Sequence, residues 1–174
     1  MAMDFVAQAQ EFATSGVADA WGLFGNSLAF IILAGALFLF ALRAGRGAFL
    51  SLVVALYAGY GLYAAFPYTD EALAFGSTPL LTFGISVGLY LVAVLIPYLL
   101  LRRVAVSDFV SIGFVGLLIL SVITAGFLFA LAHFVFDVGS VYSFSASIES
   151  LFAPAEYFFW WFIAPLVGLL FLAR

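Results

Sequence analysis

From Leu28 to Leu42, Phe49 to Phe66 and Leu80 to Leu101 the chain carries no Asp, Glu, Lys or Arg. Runs of roughly 15–22 uncharged apolar residues are near the length that crosses a hydrocarbon layer about 30 Å thick. A water-soluble fold has no way to repeat them. Of the 174 residues 67% are hydrophobic and 8% charged, against about half apolar and a quarter charged in soluble domains. No soluble interior of this size hides 22 Phe. The chain therefore reads as an all-α integral membrane protein.

Five spans can be drawn, at about 21–42, 48–66, 79–101, 109–136 and 157–173, so residues 21–174 form a single helical membrane domain. Thr78 is placed to cap the third span, with Pro79 at its first helical position and Pro97 expected to kink its inner end. Ser107 or Asp108 would cap the fourth, which is longer than a bilayer needs and should tilt or protrude. The fifth is just long enough to cross and holds Pro165. Residues 1–20 do not read as a secretory signal, because the first charge is Asp4. Phe5, Ala9, Phe12 and Gly16 share one helical face there. That gives a short outer interfacial helix or, equally, a soluble tail. Short connections imply antiparallel hairpins of spans one with two and three with four. Between spans four and five, Ile148, Leu151 and Phe152 form an apolar edge suited to a short helix lying on the outer surface.

The arginines set the orientation. Arg43 and Arg46 lie between spans one and two, Arg102 and Arg103 between three and four, and Arg174 at the C-terminus. The alternate connections hold Asp4, Glu11, Asp19, Asp70, Glu71, Asp137, Glu149 and Glu156, leaving only Asp108 beside the arginines. The positive-inside rule then puts the N-terminus outside and the C-terminus inside. Tyr68, Tyr157, Trp160 and Trp161 fall where aromatic belts are expected. The segregated charge leaves no basic surface for nucleic acid. Without Cys there is no disulfide, thiol nucleophile or thiolate metal site. No metal or cofactor is expected.

Three strings resemble chemistry. Gly84-Ile85-Ser86-Val87-Gly88 matches G-x-S-x-G, and the single histidine, His133, lies on the next span. In soluble hydrolases that string marks a strand–helix elbow; here an intramembrane Ser–His dyad of the rhomboid kind is the fairer comparison. By helix rise Ser86 lies about 10 Å down its span and His133 about 5 Å inside the end of its own, so both sit in the outer leaflet. The blander reading has more weight: Gly84-x-x-x-Gly88 is a packing face and Ser86 bonds back to its own helix. Gly59-Tyr60-Gly61 echoes a potassium-channel filter, but it lies inside a continuous span. His133 is four residues from Asp137, a spacing for a boundary pair.

The absences say more. A transporter usually carries an intramembrane charge along its path, and the three runs above have none. Small residues are plentiful instead: Gly47, Ser51, Ala55 and Gly59 recur every fourth position of span two, Gly84 and Gly88 mark span three, and Gly113, Gly116, Ser121, Ala125 and Gly126 mark span four. Such faces let helices approach closely in lipid.

Two stretches, ALRAGRGAFLSLVVALYAGYGLYA and SDFVSIGFVGLLILSVITAGFLFAL, resemble the colicin V production (CvpA-like) family of small bacterial inner-membrane proteins. The likeness rests on an Arg-Gly turn followed by Leu-Ser-Leu and small residues, and on an acid before a glycine-rich helix. It covers about Leu39 to Ala132. The resemblance implies an envelope role (export, biofilm or stress-related) in the inner membrane, with no known catalysis. The expectation is a non-catalytic scaffold or accessory subunit whose partners are the bilayer and other membrane subunits or copies of itself. The alternative is a pore-forming or transport subunit acting as an oligomer. An intramembrane serine protease using Ser86 and His133 comes third.

Overall fold

A computed structural model describes residues 27–104, 112–142, 144 and 146–172. Five helices are long and apolar enough to cross a membrane: α1 (Ser27–Ala44), α2 (Arg46–Ala64), α4 (Pro79–Val104), α5 (Phe114–Phe134) and α7 (Ala155–Leu172). Two short helices, α3 (Thr69–Leu73) and α6 (Ala146–Phe152), lie in the connections, and no strand forms among the described residues. The expected interfacial helix in residues 3–16, the Ser107/Asp108 cap and Arg174 lie outside the described residues.

The breaks between helices have local causes. α1 and α2 are separated by one residue, Gly45, at φ 92°, a conformation that side-chain-bearing residues rarely adopt. α2 stops at Ala64, and Phe66, Pro67 and Tyr68 lead away from it; a proline disfavours α geometry in the residue before it. α4 starts as its sequence requires, with Thr78 Oγ1 accepting the Leu81 amide at 3.3 Å. It continues helical through Pro97 to Val104. α6 is the surface helix expected from the Ile148–Phe152 edge; Ile148 and Phe152 are buried and Leu151 faces out.

Two expectations are corrected. The fourth helix covers Phe114–Phe134, not 109–136, because Gly113 takes an extended conformation (ψ 163°) and Val135 to Asp137 leave the ladder at the other end. At 1.5 Å per residue it is about 32 Å long and fits a bilayer without excess. The third and fourth spans also do not form a hairpin. Among α2, α4, α5 and α7, the backbones that run side by side are α2 with α4 and α5 with α7. Sequence adjacency is outweighed by where glycines let backbones touch.

Side-chain contacts fix the direction of each helix. Gly59 meets Val94, and Leu52 shares a groove with Tyr98, so α2 and α4 are antiparallel. Gly116 meets Leu172 and Phe134 stacks on Phe158, so α5 and α7 are antiparallel too. Phe30 contacts Phe129 and Phe38 contacts Phe114, which sets α1 against α5. Tyr57 on Phe127 and Tyr63 near Phe136 make α2 and α5 parallel. The bundle therefore runs up and down in sequence order. It gathers Arg43, Arg46, Arg102 and Arg103 at one end and Asp70, Glu71, Asp137, Glu149 and Glu156 at the other, all exposed.

α5 and α2 form the centre. Over the most apolar part of each helix, 56% of α5 and 44% of α2 is buried, against 17% of α4, 11% of α1 and 6% of α7. One cluster joins Ala34, Leu37 and Ala41 of α1 to Phe49, Val53, Leu117 and Leu120. A second joins Ala55 and Leu56 to Tyr90, Val94, Phe127 and Leu131. These are the dimensions and surfaces of membrane-spanning helices, and the class is that of a helical membrane protein.

Candidate functional site

Ser86, Ser121, Thr124 and His133 are bonded to their own helices. Ser86 Oγ donates to Thr82 O (3.0 Å), Ser121 Oγ to Leu117 O (2.8 Å) and Thr124 Oγ1 to Leu120 O (2.7 Å). His133 Nδ1 pairs with Phe129 O at 2.9 Å, and its ring lies 5.3 Å from that of Phe144. An uncharged hydroxyl has no water to bond within the hydrocarbon layer, so a carbonyl four residues back is the nearest partner. Ser86 and His133 thus share no hydrogen bond. His133 and Asp137 do not pair either. α5 ends at Phe134, and Asp137 adopts a left-handed conformation (φ 48°, ψ 51°), so the helical spacing that would bring them together is absent.

Two tyrosines tie helices to each other, and nothing in their spacing predicted it. Tyr57 stacks on Phe127 (4.8 Å, 5°) and donates its hydroxyl to Phe162 O of α7 at 2.6 Å. Tyr90 donates to Leu56 O of α2 at 3.0 Å. Their acceptors are main-chain carbonyls, which every residue has, so the sequence carries no signal for the pairing beyond a phenol in mid-span.

The small residues divide into inward and outward sets. Ser51, Ala55 and Gly59 are buried, Gly47 is half-buried, and a Cβ on Gly59 would stand 2.8 Å from Val94 Cα and 2.9 Å from Val94 N. Gly116 lies under Ile112 and beside Leu172. Gly84, Gly88 and Gly113 face outward with no atom within 4 Å of a Cβ position. Gly59-Tyr60-Gly61 sits in the unbroken ladder of α2, not in an unwound loop. Gly126, one of the small residues expected to pack in span four, and Gly168, which was not singled out, make close crossings of α5 with α7: Trp161 covers Gly126, and Leu120 lies 3.2 Å from a Cβ on Gly168.

At the arginine end, the Arg102 guanidinium lies 6.0 Å from the Tyr98 ring centroid, within cation–π range. Among the described residues no three of His, Cys, Asp and Glu come together to hold a metal ion. What the described residues present is helix faces, phenols in mid-span and two oppositely charged ends. Comparison with protein-family models, curated proteins and solved structures finds no match to this chain.

Proposed function

We propose that this chain is a non-catalytic scaffold or accessory subunit of a membrane complex, docking other helices through the outward face of α4. The observation that carries this reading is the open surface at Gly84 and Gly88. Both are exposed on the outward side of α4, with empty space where side chains would stand. In lipid, helix association depends on close packing rather than on hydrophobic burial, so a smooth face is where a partner helix gains contact. The likeness to the CvpA-like family adds an envelope setting in a bacterial inner membrane.

The protease reading is less well supported, because Ser86 Oγ donates to Thr82 O of its own helix and shares no hydrogen bond with His133. Ser86→Ala and His133→Ala are expected to leave assembly and cellular function unchanged. Loss of function from both, with assembly intact, would revive the dyad. Gly84→Leu with Gly88→Leu adds bulk only where space is open, so the bundle should keep its thermal stability while the detergent-solubilised complex becomes smaller. An unchanged complex size overturns the docking role. Ion flux through liposomes containing the purified chain alone would instead support the pore.

The proposed orientation, arginine end inside, has a direct test because the chain lacks cysteine. Glu71→Cys should react with a membrane-impermeant maleimide on intact spheroplasts, and Arg103→Cys only after permeabilisation. The reverse labelling pattern would invert the topology.

A further inference from the structure

Beside the α2–α4 crossing a cleft of about 230 Å³ opens sideways between the two helices. Leu62 of α2 and Phe66 just beyond that helix line one side, and Leu89, Val92, Ala93 and Ile96 of α4 the other. The one lining side chain with a polar atom is Tyr63. Tyr63 is only 8% exposed, and its ring is wedged against Tyr90 and Phe136. Among the described residues its hydroxyl has no hydrogen-bond partner, whereas the hydroxyls of Tyr57 and Tyr90 each donate to a carbonyl. Yet the hydroxyl oxygen is not sealed inside the bundle, since no fully enclosed side-chain oxygen among the described residues lacks a partner.

Depth restricts what can meet that hydroxyl. Tyr63 stands roughly 25 Å of helix rise from Arg46. Across a hydrocarbon layer about 30 Å thick, that is just beneath the boundary at the acidic end. An unmet phenol there costs free energy, and the acceptors nearest to hand at that level are the ester carbonyls of glycerolipids. We infer that this cleft is a lipid site: an acyl chain lies between α2 and α4, and its ester carbonyl accepts a hydrogen bond from Tyr63. The cleft is too small for a helix, which is 10–12 Å across with its side chains. Val92, one turn beyond Gly88, also lines the cleft, so the site adjoins the docking face at Gly84 and Gly88 without resting on that role.

The test uses the full chain purified in mild detergent and two probes that differ only in the acceptor. One is 1-oleoylglycerol, which has an ester carbonyl, and the other is its 1-O-oleyl ether, which has none. Native mass spectrometry titrations should give saturable binding of the ester, with the ether weaker by about fivefold, the worth of one neutral hydrogen bond. Tyr63→Phe keeps the ring and removes the donor, so it should bring ester binding down to the level of the ether and leave the ether unchanged. Ala93→Leu, which fills the cleft, should abolish both. Equal binding of ester and ether by the unaltered chain overturns the inference. So does an ester preference that survives Tyr63→Phe, or the absence of saturable binding by either probe.

Discussion

Gly59→Leu is expected to force α2 and α4 apart and to remove most of the chain's stability in detergent. A Cβ at this position would lie 2.8 Å from Val94 Cα and 2.9 Å from Val94 N. Those are backbone atoms, so no rotamer change relieves the contact; one helix has to move. Overpacking of this kind costs about 1–3 kcal/mol for modest insertions and more when backbone blocks the way. Even Gly59→Ala should fall within that range. The displacement would also stretch the Tyr90–Leu56 hydrogen bond (3.0 Å) and the edge contact between Tyr63 and Tyr90 (6.3 Å). Gly61→Ala is the control. It lies two residues on, faces outward, and has nothing within 4 Å of a Cβ. Helix propensity alone should then stabilise it by about 0.5–1 kcal/mol. Thermal unfolding of the purified variants, followed by circular dichroism, reads both effects. If Gly59→Ala unfolds with the unaltered chain, the crossing is not as close as 2.8 Å.

The contrast between Gly59 and Gly84 marks how far the sequence could be read. The spans were legible because lipid leaves the backbone few options and punishes charge; the ends of α2 and α4 fall within three residues of expectation. The fourth span was overdrawn because Ile112 is as apolar as the helix it precedes, and composition does not register an extended Gly113. Partner choice was not legible at all. Gly59 and Gly84 both belong to small-residue rows, but one meets the backbone of Val94 and the other meets nothing. Spacing shows which face of a helix is smooth; it does not show what lies opposite. The His133–Asp137 pairing failed for a related reason, since an i,i+4 rule holds only while the helix continues past both residues. Tyr57 and Tyr90 were visible as phenols in apolar runs, but their carbonyl acceptors are set by the three-dimensional crossing alone.

Gly126→Ala should be nearly as damaging as the change at Gly59, through a different route. Its Cβ would lie 2.5 Å from Trp161 Cε3 and 3.0 Å from Cη2. The obstacle is a side chain, so the cost depends on whether the indole can yield. Trp161 is held on two sides: Nε1 donates to Leu151 O at 2.9 Å, and the ring lies 4.8 Å from that of Phe152. Phe152 in turn packs on Phe30 (5.7 Å) and Phe129 (5.5 Å). Tilting the indole therefore pulls α6 away from α1 and α5, and the substitution should cost about 2 kcal/mol. Trp161→Phe gives up the indole hydrogen bond, worth about 1 kcal/mol, along with part of the ring. In the double variant the added methyl occupies space that the smaller ring vacates, so the two costs should fall short of their sum by about 1 kcal/mol or more. Costs that add to within about 0.5 kcal/mol would mean that the two residues do not touch. Because α6 rests on this contact and carries Glu149 on the acidic rim, Gly126 also decides whether that rim keeps its shape. A spin label at Glu149 should therefore become more mobile in Gly126→Ala and regain its order in the double variant.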